Sequence, residues 1–389
     1  MIREELREHL ETRILPFWAG LSDERFGGFY GHMDEELRLR KDADKGCILN
    51  SRILWTFSTA ARVLNREKWQ GPAEQAFRFF PRFEDGEHGG VYWSVTHDGK
   101  PADTTKHTYC QAFAIYGLAA YYRLTGEASA LEKAKALFRI IENKCRDEKG
   151  YLEALKADFT PESNEKLSEN GVMASRTMNT LLHVVEAYAE LYRAWPDAAV
   201  HEAGRQALLQ CMAQVYHPAK RRMEVFFDND FHPLLDMQSY GHDIEGSWLL
   251  ADAGGVFLKD GERGRLNAMC LDLLISAAER AWTAQGLDYE CVNGEVNTIR
   301  AWWPQAEAML GFAWGWRQTG DAAWLERLAQ QWRYIQSAVV DPREGGEWLN
   351  EIQRDGTSLH KPVVEEWKCP YHNGRMCLMI VISALPDSI

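Results

Sequence analysis

The sequence has no CxxC pair, no glycine-rich phosphate loop and no GxGxxG motif following a strand. Its eight cysteines are scattered at 47, 110, 145, 211, 270, 291, 369 and 377. Most lie inside apolar helical runs, which predicts free buried thiols in a reducing cytoplasm and no disulfide framework. Without a phosphate loop or dinucleotide fingerprint, no nucleotide cofactor is implied. The longest apolar run, 377–385, is far too short to span a bilayer. Residues 1–11 are charged and helical in pattern, with no apolar segment of the kind a secretory signal needs. A cytoplasmic location is therefore expected. Lysine and arginine form no phosphate-binding stripe, and the net charge is −13. That balance argues against nucleic acid and against an anionic membrane surface as partners. No proline- or serine-rich linker divides the 389 residues, so the expectation is one domain over 1–389.

Aromatic residues, by contrast, are abundant: 15 Trp, 14 Tyr and 16 Phe. They fit a packed helical core, and they also fit sugar binding, because flat rings stack on the C–H faces of pyranoses. Their location decides between the two. Six apolar stretches each open on polar or titratable groups: Asn50-Ser51-Arg52, Lys106-His107-Thr108-Tyr109, Arg176-Thr177-Met178-Asn179, Gly241-His242-Asp243-Ile244-Glu245, Trp302-Trp303 and Tyr371-His372-Asn373. From 52 the spacings to 107, 179, 242, 303 and 372 are 55, 72, 63, 61 and 69 residues. These stretches are apolar on nearly all sides, as in TYCQAFAIYGLAAYY from Thr108, which marks buried helices. Amphipathic helices alternate with them, near 2–19, 72–83, 126–144, 196–217, 260–284 and 320–338. Short glycine–aromatic segments at 27–30, 89–93, 150–152 and 345–348 read as hairpins joining an outer helix to the next inner one. A repeated helix pair buries its apolar face only against its neighbours, so six can close a ring. The predicted fold is all-α, an (α/α)6 barrel with short β-hairpins in its connections. Loops 151–175, 286–300 and 344–368 are expected to rim its cleft.

The helix heads carry the candidate chemistry. His242 and Glu245, three apart, share a helix face, and a carboxylate beside an imidazole would hold its tautomer and raise its basicity. His183 lies four after Asn179 within an apolar run and is either a hydrogen-bonded core residue or a pocket group. His372 opens the last helix behind Pro370. Arg52 heads the first inner helix, either ion-paired or aimed at a substrate oxygen. Glu307 shares a face with Trp303. A metal site from His183, His242, Glu245 and His372 is conceivable, but HDIE lacks the second histidine of HExxH. A glycosidase would need two flanking carboxylates, whereas the conspicuous groups here are imidazoles. Two imidazoles across a sugar carbon suit proton abstraction next to a carbonyl, with return of the proton from the opposite face. Arg52 could stabilise the enediolate oxygen.

Five blocks, ADKGCILNSRILW (43–55), GKPADTTKHTYCQAFAIYGL (99–118), LSENGVMASRTMNTLLHVVEAYAELYR (167–193), SYGHDIEGSWLL (239–250) and EEWKCPYHNGRMCL (365–378), make the chain closely resemble cellobiose 2-epimerases of the N-acylglucosamine 2-epimerase superfamily. The resemblance implies reversible, cofactor- and metal-independent epimerisation at C2 of the reducing-end glucose of β-1,4-linked disaccharides. It places acid/base histidines at His242 and His372, a third pocket histidine at His183, an arginine at Arg52 and a partner glutamate at Glu245. Sugar contacts fall on Tyr109, Asn179, Trp303, Glu307 and Trp367. The implied partner is a small sugar, and a monomer is the expected state. The segment LDYECVNGEVNTIR before the fifth head is shorter and less charged than the family pattern. Mannose 2-epimerases and aldose–ketose isomerases of the same superfamily, which act on free monosaccharides, are the alternative.

Overall fold

In the computed structural model, residues 1–168 and 170–386 are described; the end of the expected 1–389 domain lies outside them. Six inner helices run Cys47–Val63, Thr108–Thr125, Met178–Ala194, Tyr240–Phe257, Trp302–Thr319 and Tyr371–Val381. Each packs on the next, and the last packs on the first, so the ring closes. Outer helices at 2–19, Arg66–Phe79, Ala128–Lys144, 198–215, Asp260–Ala281 and 322–339 lie against them. The chain is an (α/α)6 barrel. No helix among the described residues is long and apolar enough to cross a membrane. The second outer helix begins six residues before the expected start at 72. The Asn65 side chain accepts the Lys68 amide there, an N-cap that overrides the signal of Pro72 inside the helix.

A tight hairpin follows every outer helix. Four close at the bridges Ser22–Phe29, Glu84–Val91, Arg146–Tyr151 and Val340–Trp348, at the glycine–aromatic segments. The other two pair Tyr216–His217 with Arg222–Met223 and Trp282–Thr283 with Gly286–Leu287. The first of these turns through Arg221 at φ +52°, where no glycine advertises the turn.

The first side chains of the inner helices latch these hairpins. Gln111 accepts the Val91 amide and donates to the Val91 carbonyl, both at 2.8 Å. Gln305 does the same with Leu287 at 2.9 and 3.0 Å, Asn50 accepts from Phe29 at 3.1 Å, and Asp243 accepts from Met223 at 2.8 Å. Gly90, at φ +77°, lets the hairpin approach Gln111, because a Cβ there would lie 2.9 Å from its Oε1.

A second layer of clips sits just before the helices. Lys45, Lys106, Arg176, Gln238 and Arg300 stand two residues ahead of their inner helices, and Lys368 three ahead of the last. All six are buried. Lys45 binds Asp23 at 2.6 Å, Lys106 binds Asp85 at 2.8 Å, Arg176 binds Asp147 at 2.5 Å, Arg300 binds Asp288, and Lys368 binds Glu347 at 2.6 Å. Lys45 and Lys106 also donate to the Gly27 and Gly89 carbonyls of the turns. At the fourth position Gln238 donates instead to Asp243 at 2.8 Å. Glu347 further accepts from Trp18 of the first outer helix and Asn373 of the last inner helix, joining the two ends of the chain.

Removing one partner of a buried pair leaves an uncompensated charge. Lys106→Ala is therefore expected to destabilise the protein by about 3–5 kcal/mol, and Asp85→Ala added to it to recover part of that loss. Urea unfolding checks this. A cost below about 1 kcal/mol, the scale of an exposed pair, would contradict the clip.

Candidate active site

The inner-helix heads converge on a cavity of about 220 Å³. Its wall includes Arg52, Tyr109, Asn179, His183, His242, Glu245, Trp303, Trp367 and His372, each from a head or the segment just before it. Leu167, Tyr289, Glu290, Asn350, Glu351 and Glu365 come from the three expected rim loops. Val225, Phe226, Met237 and Ser239 come from the 216–239 connection, which was not among the expected rim segments. The 286–300 loop is ordered as a hairpin, Glu290–Val292 with Glu295–Asn297, which extends onto Met237–Ser239.

Three imidazoles face this cavity, and each is held from behind through Nδ1. His183 Nδ1 lies 2.9 Å from Glu186 Oε2, His372 Nδ1 lies 2.6 Å from Glu307 Oε1, and His242 Nδ1 lies 2.7 Å from Ser239 Oγ. Nε2 of each ring has no protein partner among the described residues. The Trp303 indole packs against two of them, its ring centre 4.6 Å from that of His242 and 5.5 Å from that of His372.

Two expectations change here. Glu245 is not the hydrogen-bond partner of His242; its Oε1 accepts from Arg375 at 2.6 Å and acts on the histidines only through space. The i, i+3 spacing put both on one helix face, but a buried guanidinium outcompetes an imidazole for that carboxylate. Glu307, expected at the sugar, is absent from the cavity wall. It is fully buried behind His372 and also accepts from Trp248 at 3.0 Å and Arg375 at 2.8 Å.

Arg375 is the residue that sequence reasoning missed. Its guanidinium bonds Glu186 at 2.5 Å, Glu245 at 2.6 Å and Glu307 at 2.8 Å, and it contacts the Tyr371 hydroxyl. One cation thus ties together carboxylates from three inner helices. An arginine four residues into an apolar helix was the available signal, since it must be paired to be buried. Glu245, Glu307 and His372 bring donor atoms within 4.8 Å of one another, a geometry that could hold a metal ion. Arg375 already supplies the positive charge to both carboxylates. His183 and His242 lie outside that cluster, so the four-residue metal set read from the sequence does not assemble.

Arg52 is the opposite case. Among the described buried arginines it alone has no carboxylate in ion-pair range. It donates to the Tyr109 hydroxyl at 2.6 Å, reaches Cys369 Sγ at 3.7 Å, and lies over the Phe113 and Tyr371 rings. Its Nε, with Asn179 Oδ1 and Glu245 Oε2, forms a set of buried polar atoms on cavity residues without a protein partner. A buried cation and unpaired polar atoms around one cavity fit a polar ligand that becomes anionic.

Burial pushes the His242 imidazole down to about 4, against the pull of Glu245. Burial likewise holds His372 well below its ordinary value, with Glu245 pulling the other way. Burial raises Glu307, which Arg375 opposes. At Glu186 burial works upward, but the Arg375 and His183 side chains bring the group down to about 2. Burial thus favours the neutral form of both His242 and His372.

The sequence pattern of the N-acylglucosamine 2-epimerase (GlcNAc 2-epimerase) family matches residues 28–374. A cellobiose 2-epimerase of Eubacterium cellulosolvens is 46% identical, with 99% of each chain covered. The crystal structure of a sugar epimerase from a ruminal bacterium superposes with a TM-score of 0.97 at 41% identity, covering 99% of this chain and 100% of that one. The cellobiose 2-epimerase of Bacillus thermoamylovorans gives 0.94 at 40% identity, covering 98% of each. Fold, cavity and these likenesses agree: the chain belongs to the N-acylglucosamine 2-epimerase family and is an epimerase.

Proposed function

We propose that the protein inverts C2 of the reducing-end glucose of β-1,4-linked disaccharides, turning cellobiose into glucosyl-mannose and lactose into epilactose. The observation that carries this reading is the pair of imidazoles, His242 and His372, that line one cavity, each held through Nδ1 and each packed against Trp303. Epimerisation at a carbon bearing no acidic proton needs the ring opened first, so that C2 lies next to a carbonyl. His372, backed by Glu307, moves the proton between the anomeric hydroxyl and the ring oxygen. One imidazole then removes the C2 proton. The resulting cis-enediolate is anionic, and the Arg52 guanidinium, unpaired with any carboxylate, stabilises its oxygen. That new negative charge also raises the basicity of both imidazoles, so the partner histidine takes up a proton from solvent and delivers it to the opposite face of C2, and the first imidazole afterwards releases the abstracted proton to solvent. His183 and Asn179 position the sugar hydroxyls, and Tyr109, Trp303 and Trp367 pack its apolar faces.

Residues 1–389 act as one catalytic unit in this scheme, and no step calls for a metal or nucleotide. The disaccharide preference is supported by the names of the relatives and by the cavity wall running outward to Tyr289, Glu290 and Trp367. Action on free glucose or mannose is the second reading, on account of the short 286–300 segment.

Turnover of cellobiose, lactose and glucose in deuterium oxide, after metal stripping, tests the chemistry. Deuterium at C2 of epilactose and glucosyl-mannose, at undiminished rate, is expected. Strict dependence on an added metal, or release of monosaccharide from cellobiose, would overturn the proposal. His242→Ala and His372→Ala are each expected to lower kcat by about 10²–10⁴ with the fold retained.

The lowered imidazoles fix the sign of a pH effect. A base held below its ordinary value of 6.5 stays neutral, and so competent, as the pH falls past that value. The acid limb of kcat/KM, which reports the free enzyme, is expected well below pH 6.5, toward the value of about 4 for His242. Half-loss of kcat/KM at or above pH 6.5 would contradict it.

A further inference from the structure

Ser239 is the N-cap of the fourth inner helix, Tyr240–Phe257, and serine is favoured there because its hydroxyl accepts an otherwise unpaired amide of the first turn. Here the side chain makes no cap hydrogen bond. Its Oγ lies 2.7 Å from His242 Nδ1 instead, the one hydrogen bond this hydroxyl makes among the described residues. Ser239 is buried and lines the cavity. Its backbone is fixed by the antiparallel ladder of Met237–Ser239 on Glu290–Val292, in which Ser239 stands opposite Glu290. Helix capping has thus been given up for a bond to one imidazole.

The other two imidazoles are backed by carboxylates, Glu186 and Glu307. An ionised carboxylate can only accept, so it fixes the proton on Nδ1, and it stabilises an imidazolium. A hydroxyl brings no charge, and can accept from Nδ1–H or donate to Nδ1. The charged and titratable groups acting on His242 are Glu245 of its own helix and His183 of the third inner helix, neither hydrogen-bonded to it. Glu245 is committed to Arg375. Trp303 packs on the ring face but supplies no bond to its nitrogens. Ser239 is therefore the sole polar tether of the His242 ring among the described residues.

We infer that Ser239 is a positioning residue for the reaction, holding His242 by Nδ1 through an uncharged hydroxyl so that Nε2 meets the sugar carbon. This rests on His242 being one of the two proton-transfer groups. The two imidazoles of the pair are then built differently, one tethered by a hydroxyl and one by a carboxylate.

The test compares Ser239→Ala, Ser239→Thr and His242→Ala with the unaltered protein on cellobiose, with thermal unfolding of each. Ser239→Ala is expected to lower kcat about 10- to 100-fold, a part of the ~10²–10⁴ that a well-placed proton-transfer group supplies, with KM within about 2-fold. Ser239→Thr, which keeps the hydroxyl, is expected to restore most of kcat. If Ser239→Ala unfolds, Ser239→Cys, whose thiol bonds weakly, is expected to lower kcat in the same direction. Unchanged kcat in a folded Ser239→Ala, or equal loss in the Ala and Thr variants, would overturn the inference while His242→Ala stays inactive. A fully active His242→Ala would instead overturn the two-imidazole reading itself.

Discussion

One guanidinium organises the centre of this barrel. Arg375 bonds Glu186, Glu245 and Glu307, which belong to three different inner helices, while it stands on a fourth. Three carboxylates buried within reach of one another repel, and each would be costly to keep ionised without a counter-charge. With Arg375 among them they remain acceptors. Two of the three also bind an imidazole: Glu186 holds His183 through the oxygen that Arg375 does not use, and Glu307 holds His372 through the Oε1 that it shares with Arg375. The His183 and His372 imidazoles on the cavity wall are thus backed by one buried charge cluster. The cluster ties four of the inner helices together, beside the latches and clips that hold their heads.

The consequence is a separation of duties between two buried arginines. Arg375 is bonded to three carboxylates and is absent from the cavity wall; Arg52 has no carboxylate in ion-pair range and lines the cavity. The first anchors the carboxylates that hold His183 and His372, and the second is the cation proposed to meet the enediolate. The Trp303 indole packs against both His242 and His372.

Much of this was legible in the residues. Period, apolar all-round helices and polar heads were enough for the ring, and all but one of the ten residues singled out stand on the cavity wall. What stayed hidden had a common cause: a polar residue at a helix head can face either inward or back along the chain. Asn50, Gln111, Asp243 and Gln305 stand at the heads yet latch hairpins behind them. The i, i+3 rule put Glu245 beside His242 but could not weigh a competing cation from 130 residues away. Glu307 shares the helix face of Trp303 but lies one turn deeper, where its neighbour is His372 and not the cavity. The buried clips Lys45, Lys106, Arg176, Arg300 and Lys368 recur in register with the helices, a repeat carried by charge and therefore invisible to hydrophobic periodicity.

The central claim is that carboxylates anchored by Arg375 hold His183 and His372 through Nδ1, leaving each Nε2 for the sugar. Nitrogen-15 NMR of histidine-labelled protein at pH 7.5, assigned with single-histidine variants, reads the tautomers directly. The account predicts the proton on Nδ1 of both rings and an unprotonated Nε2 on His372. A proton on Nε2 of neutral His372 would contradict it.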